Sequence, residues 1–201
     1  MWTLAGVTLA TLGYFGWKLT ARNAYEAAKY TVIMADGACE VREYPDLMLA
    51  TTAARFESQG QDGSFMRLFG FISGRNADEQ KIAMTVPVFM ERDTGNADSS
   101  MGLVVPKGVT ESGIPAPTDE QVQINRRSGG RFAVIRFSGR LTDSSVDKNE
   151  SLLRKWMGSQ NLHGTDLAET AGYDPPWTPN PLRRNEVLIR LLDKGKIPAA
   201  S

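Results

Sequence analysis

The chain has little of several things that would announce a chemistry. Of its 201 residues one is cysteine, Cys39, and one is histidine, His163. A single cysteine excludes an intramolecular disulfide, and it fits a reducing compartment without requiring one. With so few, there is no Cys/His set of the kind that builds a structural zinc site. Neither sign of charge is in excess: 23 Lys+Arg meet 23 Asp+Glu, a formal net charge of zero. No run of Lys and Arg makes a local patch, so the phosphate-neutralising surplus of a nucleic-acid binder is missing. A phosphate-cradling glycine loop, a Ser/His/Asp or Cys/His arrangement and a paired metal-ligand motif are missing too, and no catalytic residue is assigned. Cys39 falls in a strand pattern and reads as a buried, inert thiol.

One long uncharged run is present, at the start. Met1 to Trp17 holds no charged side chain, is strongly apolar at Leu4, Val7, Leu9, Leu12 and Phe15, and carries Trp2 at one end with Tyr14 and Trp17 at the other. As a helix it spans roughly 25 Å, slightly less than a hydrocarbon core of about 30 Å, and Lys18 can snorkel to extend it. The expected organisation is an N-terminal transmembrane anchor over 1–22, a linker over 23–29, a globular domain over 30–192 and a tail over 193–201. Lys18 and Arg22, on the C-terminal side of the run, favour a cytoplasmic domain. The rival is a cleaved signal peptide with its cut among the small residues 20–24, which would make the domain periplasmic or secreted. The positive n-region normal in such a peptide is not there.

The rest is strand-rich. Tyr30 to Ala35 and Cys39 to Tyr44 read as strands joined at Asp36-Gly37, a hairpin signal. Leu47 to Phe56 reads as another strand. Phe65, Leu68, Phe69 and Ile72 recur at helical spacing, and Gly74 is placed to end that helix. Lys81 to Glu91 reads as one strand, with Ile82, Met84, Val86, Val88 and Met90 on one face and Pro87 suggesting an edge or bulge. Met101 to Val105, Gln121 to Arg126 and Arg131 to Phe137 read as strands. Thr142, Asp143 or Ser144 can cap a second helix carrying Val146, Leu153 and Trp156 on one side. A long loop follows, and Asn185 to Leu192 is the last strand. The two parts follow a similar order. The expected fold is therefore α+β: a duplicated strand-strand-helix-strand-strand unit forming a distorted antiparallel sheet or barrel with two helices, plus the transmembrane helix.

Four segments together resemble the SOUL heme-binding protein family. Gly37-Ala-Cys-Glu-Val-Arg-Glu-Tyr-Pro45 resembles its opening strand, and Phe71-Ile-Ser-Gly-Arg-Asn76 the end of its first helix. Lys81-Ile-Ala-Met-Thr-Val-Pro-Val88 resembles its most recognisable strand. Ala171-Gly-Tyr-Asp-Pro-Pro-Trp-Thr-Pro179, followed by Arg183-Arg-Asn-Glu-Val187, resembles its C-terminal loop and strand. They stand in register from about Tyr30 to Leu192. The resemblance implies reversible, non-covalent binding of heme or another porphyrin in a pocket against the first helix and near the loop before the last strand.

Heme is a flat apolar disc with two carboxylates, so it needs an apolar slot and cations. Phe65, Met66 and Phe69, with Phe71, are candidates for the slot, and Arg67 and Arg75 for the propionates. Tyr173 and Trp177 could add aromatic surface. The Phe65/Leu68/Phe69/Ile72 stripe also reads as plain core, and Tyr173 to Pro179 as a loop lock. The axial ligand is unassigned. Some vertebrate relatives carry a His in the opening motif where this chain has Glu43, and His163 is a weak candidate in a polar loop. The expected role is a tetrapyrrole buffer, carrier or chaperone at a membrane. Two other readings stay open. One is a binder of apolar or cationic ligands in a cleft like that of GyrI-like domains, with Glu43 or Glu186 facing it; the other is an interaction module of a membrane assembly.

Overall fold

The structure is a computed structural model that describes residues 25–56, 61–92, 99–175 and 177–192. Strand β1, Glu26–Ala27, lies in the stretch read as a linker and pairs in parallel with β5, Thr85–Val86. All other strands join one antiparallel sheet. They are β2 (Thr31–Asp36), β3 (Cys39–Tyr44), β4 (Leu47–Ala54), β6 (Val88–Glu91), β7 (Ser99–Val104), β8 (Gln123–Arg127), β9 (Gly130–Phe137), β10 (Gly164–Gly172) and β11 (Asn185–Leu191). The sheet order is β2-β3-β9-β11-β10-β6-β7-β4-β8. Among the described residues three α-helices accompany it: α1 (Ser64–Ile72), α2 (Lys107–Ser112) and α3 (Asp143–Ser159).

Local chemistry accounts for most of these elements. The β2/β3 turn is Gly37-Ala38, closed by the Asp36–Cys39 pair, with Gly37 at φ +59° where a β-carbon is disfavoured. Asp62 starts α1: its carboxylate accepts from the Ser64 backbone N–H at 3.1 Å and from the Ser64 hydroxyl at 2.6 Å. The helix ends at Ser73, followed by Gly74 at φ +107°. Asn76 then ties down the exit, its amide donating to the carbonyls of Phe71 and Gln80 at 2.9 and 2.8 Å. Helix α3 opens on a capping box between Thr142 and Ser145.

Each long strand points alternate residues to opposite faces, and each face has its own core. On one face Val41, Ala50, Met101, Leu103, Ala133, Ile135, Val187 and Ile189 form a cluster with Leu68, Phe71 and Ile72 of α1 and Val146, Leu153 and Met157 of α3. On the other, Tyr44, Leu49, Phe89, Phe132, Val134, Ala171, Tyr173 and Leu188 form a second cluster. Helix α1 therefore packs over β4 and β7, and α3 over β9 and β11.

Several expectations are corrected. The fold is a mostly antiparallel sheet with three helices among the described residues, not two. Helix α2 escaped notice because Lys107-Gly-Val-Thr-Glu-Ser112 has one apolar side chain and no periodicity; Pro106 sets its start. The transmembrane helix does not stand as part of the fold. Among the described residues no helix is long and apolar enough to cross a membrane, and the longest, α3, is a charged amphipathic helix of 17 residues, short of the ~20 apolar residues a span needs. Residues 1–22 themselves lie outside the described residues, as does the tail 193–201. The single strand expected over Lys81 to Glu91 is two short ones, β5 and β6, separated at Pro87. The interruption changes which side faces where: Ile82 and Met90 join the helix-side cluster, whereas Val86 joins the other. The long loop after the second helix contains β10, a central strand paired to β11 and β6.

Candidate functional site

The inward side of α1 is Ser64, Leu68, Phe71 and Ile72. That choice leaves Phe65 and Phe69 on the flank, with ring centroids 6.1 Å apart and planes 19° from parallel. Met66 and Phe69 are 56% and 43% exposed, so an apolar surface faces solvent where a soluble helix would place polar groups. Two of the expected cations adjoin this surface. Arg67 reaches back to β4, donating from Nε to the Thr52 hydroxyl at 3.1 Å and from Nη2 to the Ala53 carbonyl at 2.9 Å. Arg75 folds over Gly70, a turn from Met66, and donates from Nη2 to the Met66 carbonyl at 3.1 Å. A β-carbon at position 70 would lie 2.0–2.3 Å from the Arg75 guanidinium, so glycine is what lets the arginine lie flat on the helix.

Phe65, Met66, Phe69 and Arg75 are thus brought together on one helix, with Arg67 at its edge. Tyr173 is elsewhere: it is buried in the cluster on the opposite face of the sheet. Trp177 is 67% exposed in the loop that follows β10. His163 is exposed between α3 and β10, and its carbonyl accepts from the Leu192 N–H at 2.9 Å. It follows the helix that covers the other half of the sheet, not α1. Among the described residues no group of three or more His, Cys, Asp or Glu is placed to hold a metal ion.

The opposite face holds a charge network centred on Glu186. Glu186, fully buried at the start of β11, accepts from Arg42 Nη1 and Nη2 at 2.7 and 3.0 Å, from the Tyr173 hydroxyl at 3.0 Å, and from Arg184 Nε and Nη2 at 3.0 and 2.7 Å. Burial alone would raise the Glu186 carboxyl, but the hydrogen bonds and charges of Arg42 and Arg184 outweigh it and hold the group below the usual carboxylate range. Arg42, itself buried, also donates to Glu40 at 2.6 Å and to the Tyr44 hydroxyl at 3.1 Å, and it lies 4.2 Å from the Tyr30 ring centre. Burial pushes the Tyr44 and Tyr173 hydroxyls up, so both stay neutral donors and acceptors. Arg42 is paired to Glu186 and Glu40 rather than to Glu43, which is exposed on β3. Glu186 is thus surrounded by matched cations and offers a cationic ligand no free carboxylate. The signal for this network was Glu186 beside the apolar run Val187 to Ile189 and Arg42 next to Val41, but the two partners lie 144 residues apart.

A second set of charges lies further across that face. Arg127 of β8, 6% exposed, donates from Nε to Glu169 at 2.7 Å and packs against Phe132, Phe89 and Tyr44. Glu91 sits beside it. Burial and the charge of Glu169 push its carboxyl above the usual range.

Comparison with known proteins places these features in context. The family model described as SOUL heme-binding protein matches residues 25–190. Heme-binding protein 1 of Xenopus laevis is 28% identical over 158 residues, 75% of this chain and 82% of that protein. Heme-binding protein 1 of Mus musculus is 29% identical over 129 residues, 61% and 67% of the two chains. Among solved structures, the EcmrR C-terminal domain superposes with a TM-score of 0.55 at 11% identity, covering 82% of this chain and 98% of that one. A hydrolase from Listeria innocua superposes with a TM-score of 0.54 at 9% identity, covering 80% and 94%. At such identities the two structures speak to the fold alone.

Proposed function

The chain belongs to the SOUL heme-binding protein family, and from that premise we propose that it binds heme non-covalently on the outer face of α1 and acts as a tetrapyrrole buffer or carrier. The observation that carries the site is the solvent-facing surface of Met66 and Phe69, with the half-buried Phe65 ring stacked beside Phe69 and Arg75 lying flat on the helix. The parts fit the ligand. Stacked rings and a thioether offer a flat apolar face to the macrocycle, and Arg75 and Arg67 offer charge-assisted hydrogen bonds to the propionates. Covering side chains already half exposed adds about 1–2 kcal/mol for each large apolar group removed from water. Heme bound there brings its own iron chemistry; the protein's residues supply shelter and charge. A face open to solvent suits exchange, which supports a buffer or carrier role.

The test is a titration of the full chain with hemin and with protoporphyrin IX, followed by the Soret band. Saturable one-to-one binding of both is expected. Met66→Ser/Phe69→Ser should weaken it by roughly 10- to 100-fold, about 1.4–2.8 kcal/mol, with the far-UV spectrum unchanged because both side chains are exposed. Bound hemin should pass to excess apomyoglobin within minutes. Loss of binding in His163→Ala but not in the double variant would move the site to the α3–β10 loop, and absence of saturable binding would end the proposal.

A further inference from the structure

Heme iron accepts an axial ligand from imidazole, thiolate, thioether or phenol side chains. Among the described residues the fold takes most of these away from the α1 face. His163 lies in the loop after α3, the helix over the other half of the sheet. Cys39 is buried in the helix-side cluster. The four tyrosines of the described residues, Tyr25, Tyr30, Tyr44 and Tyr173, all pack in the cluster on the far face. Thioethers remain.

Met66 differs from every other methionine of the described residues. Met90, Met101 and Met157 are buried, and Met34, Met48 and Met84 are partly buried against the helix-side cluster. Met66 is 56% exposed. The helix sets it there: at about 100° per residue it stands about 160° round the axis from the buried Leu68 and about 140° from the buried Phe71. Its neighbours one turn on are Phe69, three residues along, and Gly70, four along. Phe69 brings a ring stacked with Phe65 to one side. Gly70 brings no side chain, and the Arg75 guanidinium lies over it, donating to the Met66 carbonyl at 3.1 Å. The thioether thus stands between an apolar wall and a cation. A heme has its propionates at one edge and its iron at the centre. A ligand for the iron therefore belongs between the surface that shelters the ring and the cation that holds the carboxylates, and Met66 is the residue in that place.

We propose that Met66 is the axial ligand of the heme iron, its thioether sulfur completing a site whose rings and arginines hold the porphyrin. This rests on the α1 face being the heme seat. A thioether is a soft, neutral donor and favours ferrous over ferric iron. The face therefore takes reduced heme more tightly than hemin, and release is coupled to oxidation of the iron.

The experiment titrates the full chain, without oxygen, with protoporphyrin IX, hemin and dithionite-reduced heme, for the wild type, Met66→Leu and Met66→His. The position is exposed, so all three fold. The readout is the affinity for each form of heme relative to protoporphyrin IX, which cancels any apolar contact that a substitution alters for all three ligands. Reduced heme should bind the wild type about ten-fold more tightly than hemin, equivalent to a rise of about 59 mV in the potential of the bound heme. Met66→Leu, similar in volume, should abolish that preference. Met66→His, whose imidazole also ligates ferric iron, should tighten hemin by about ten-fold relative to protoporphyrin IX and shift the Soret band of the bound form. A ferrous preference that persists in Met66→Leu, or a Met66→His that gains nothing for hemin over protoporphyrin IX, overturns the ligand assignment and leaves the heme seat standing. Binding of neither porphyrin by the wild type overturns the seat and the ligand together.

Discussion

Glu186→Gln is a sharp test of the energetic argument. The wild-type carboxylate takes five donors, four from Arg42 and Arg184 and one from Tyr173, and it is fully buried, as is Arg42. Glutamine keeps the shape but not the charge. Its amide nitrogen must face an arginine or tyrosine donor, and Arg42 is left in the interior with Glu40 as its remaining anion. Removing one member of a buried ion pair typically destabilises a protein by about 3–5 kcal/mol, and for a domain of this size each kcal/mol moves the melting temperature by about 2–4 °C, a fall of roughly 6–20 °C. Urea denaturation and thermal unfolding by circular dichroism measure it. The pH dependence gives a second reading. Because the folded Glu186 carboxyl is held below its ordinary value, its contribution is fully present above the usual carboxylate range and is lost as pH falls through the folded value. The variant should therefore show a shallower acid limb of stability. A loss of less than about 1 kcal/mol, or an unchanged acid limb, would refute the idea that this network holds the sheet together. Arg42→Met/Glu186→Leu should recover part of the loss, since the fully buried Arg42 charge is removed with its partner, leaving only the partly exposed Arg184 and Glu40 and the Tyr173 hydroxyl to find new partners.

Other expectations are smaller in scope. Thr142→Ala removes the acceptor for the Ser145 N–H at the start of α3 and should reduce stability by about 1 kcal/mol in urea titration. Gly129→Ala would put a β-carbon 2.5 Å from the Tyr44 carbonyl oxygen, 2.6 Å from the Pro45 carbonyl carbon and 2.8 Å from the Asp46 nitrogen. Backbone there has nowhere to go, and a loss of at least about 1–3 kcal/mol is expected. Gly70→Ala, by contrast, meets the flexible end of Arg75. Stability should stay within about 1 kcal/mol of wild type, while Arg75 leaves the helix surface and the affinity for hemin, with its propionates free, changes by several-fold. A severe loss of stability there would mean that the Arg75–α1 contact is structural.

The two faces of the sheet differ in chemistry. The helix side exposes apolar surface at α1, the proposed seat of the macrocycle. The far side carries a packed set of arginines, glutamates and rings, among them Arg42, Arg127, Glu169, Glu186, Tyr44 and Phe132.

Local features were legible from the residues alone. The β2/β3 hairpin follows from Asp36-Gly37, helix α1 from the spacing of Phe65, Leu68, Phe69 and Ile72 and from Gly74, and α3 from Thr142, because turns, caps and helical periodicity are interactions between near neighbours in sequence. The family motifs are likewise short strings. What the tertiary structure alone decided is which side of each element is used. Phe69 falls on the flank of α1 and not in its core because Phe71 takes the inward position. Strand β10 was read as loop because Thr165, Asp166, Glu169 and Thr170 hide its period of two, and Glu169 and Thr170 meet their partners, Arg127 and the Met90 carbonyl, only from far away in the chain. Tyr173, read beside Trp177 as ligand surface, instead closes on Glu186. Composition and local pattern determine what each segment can form. The pairing of a buried charge is a long-range electrostatic contact, decided only when strands from both ends of the chain, β3 and β11, are brought against β9 in one sheet.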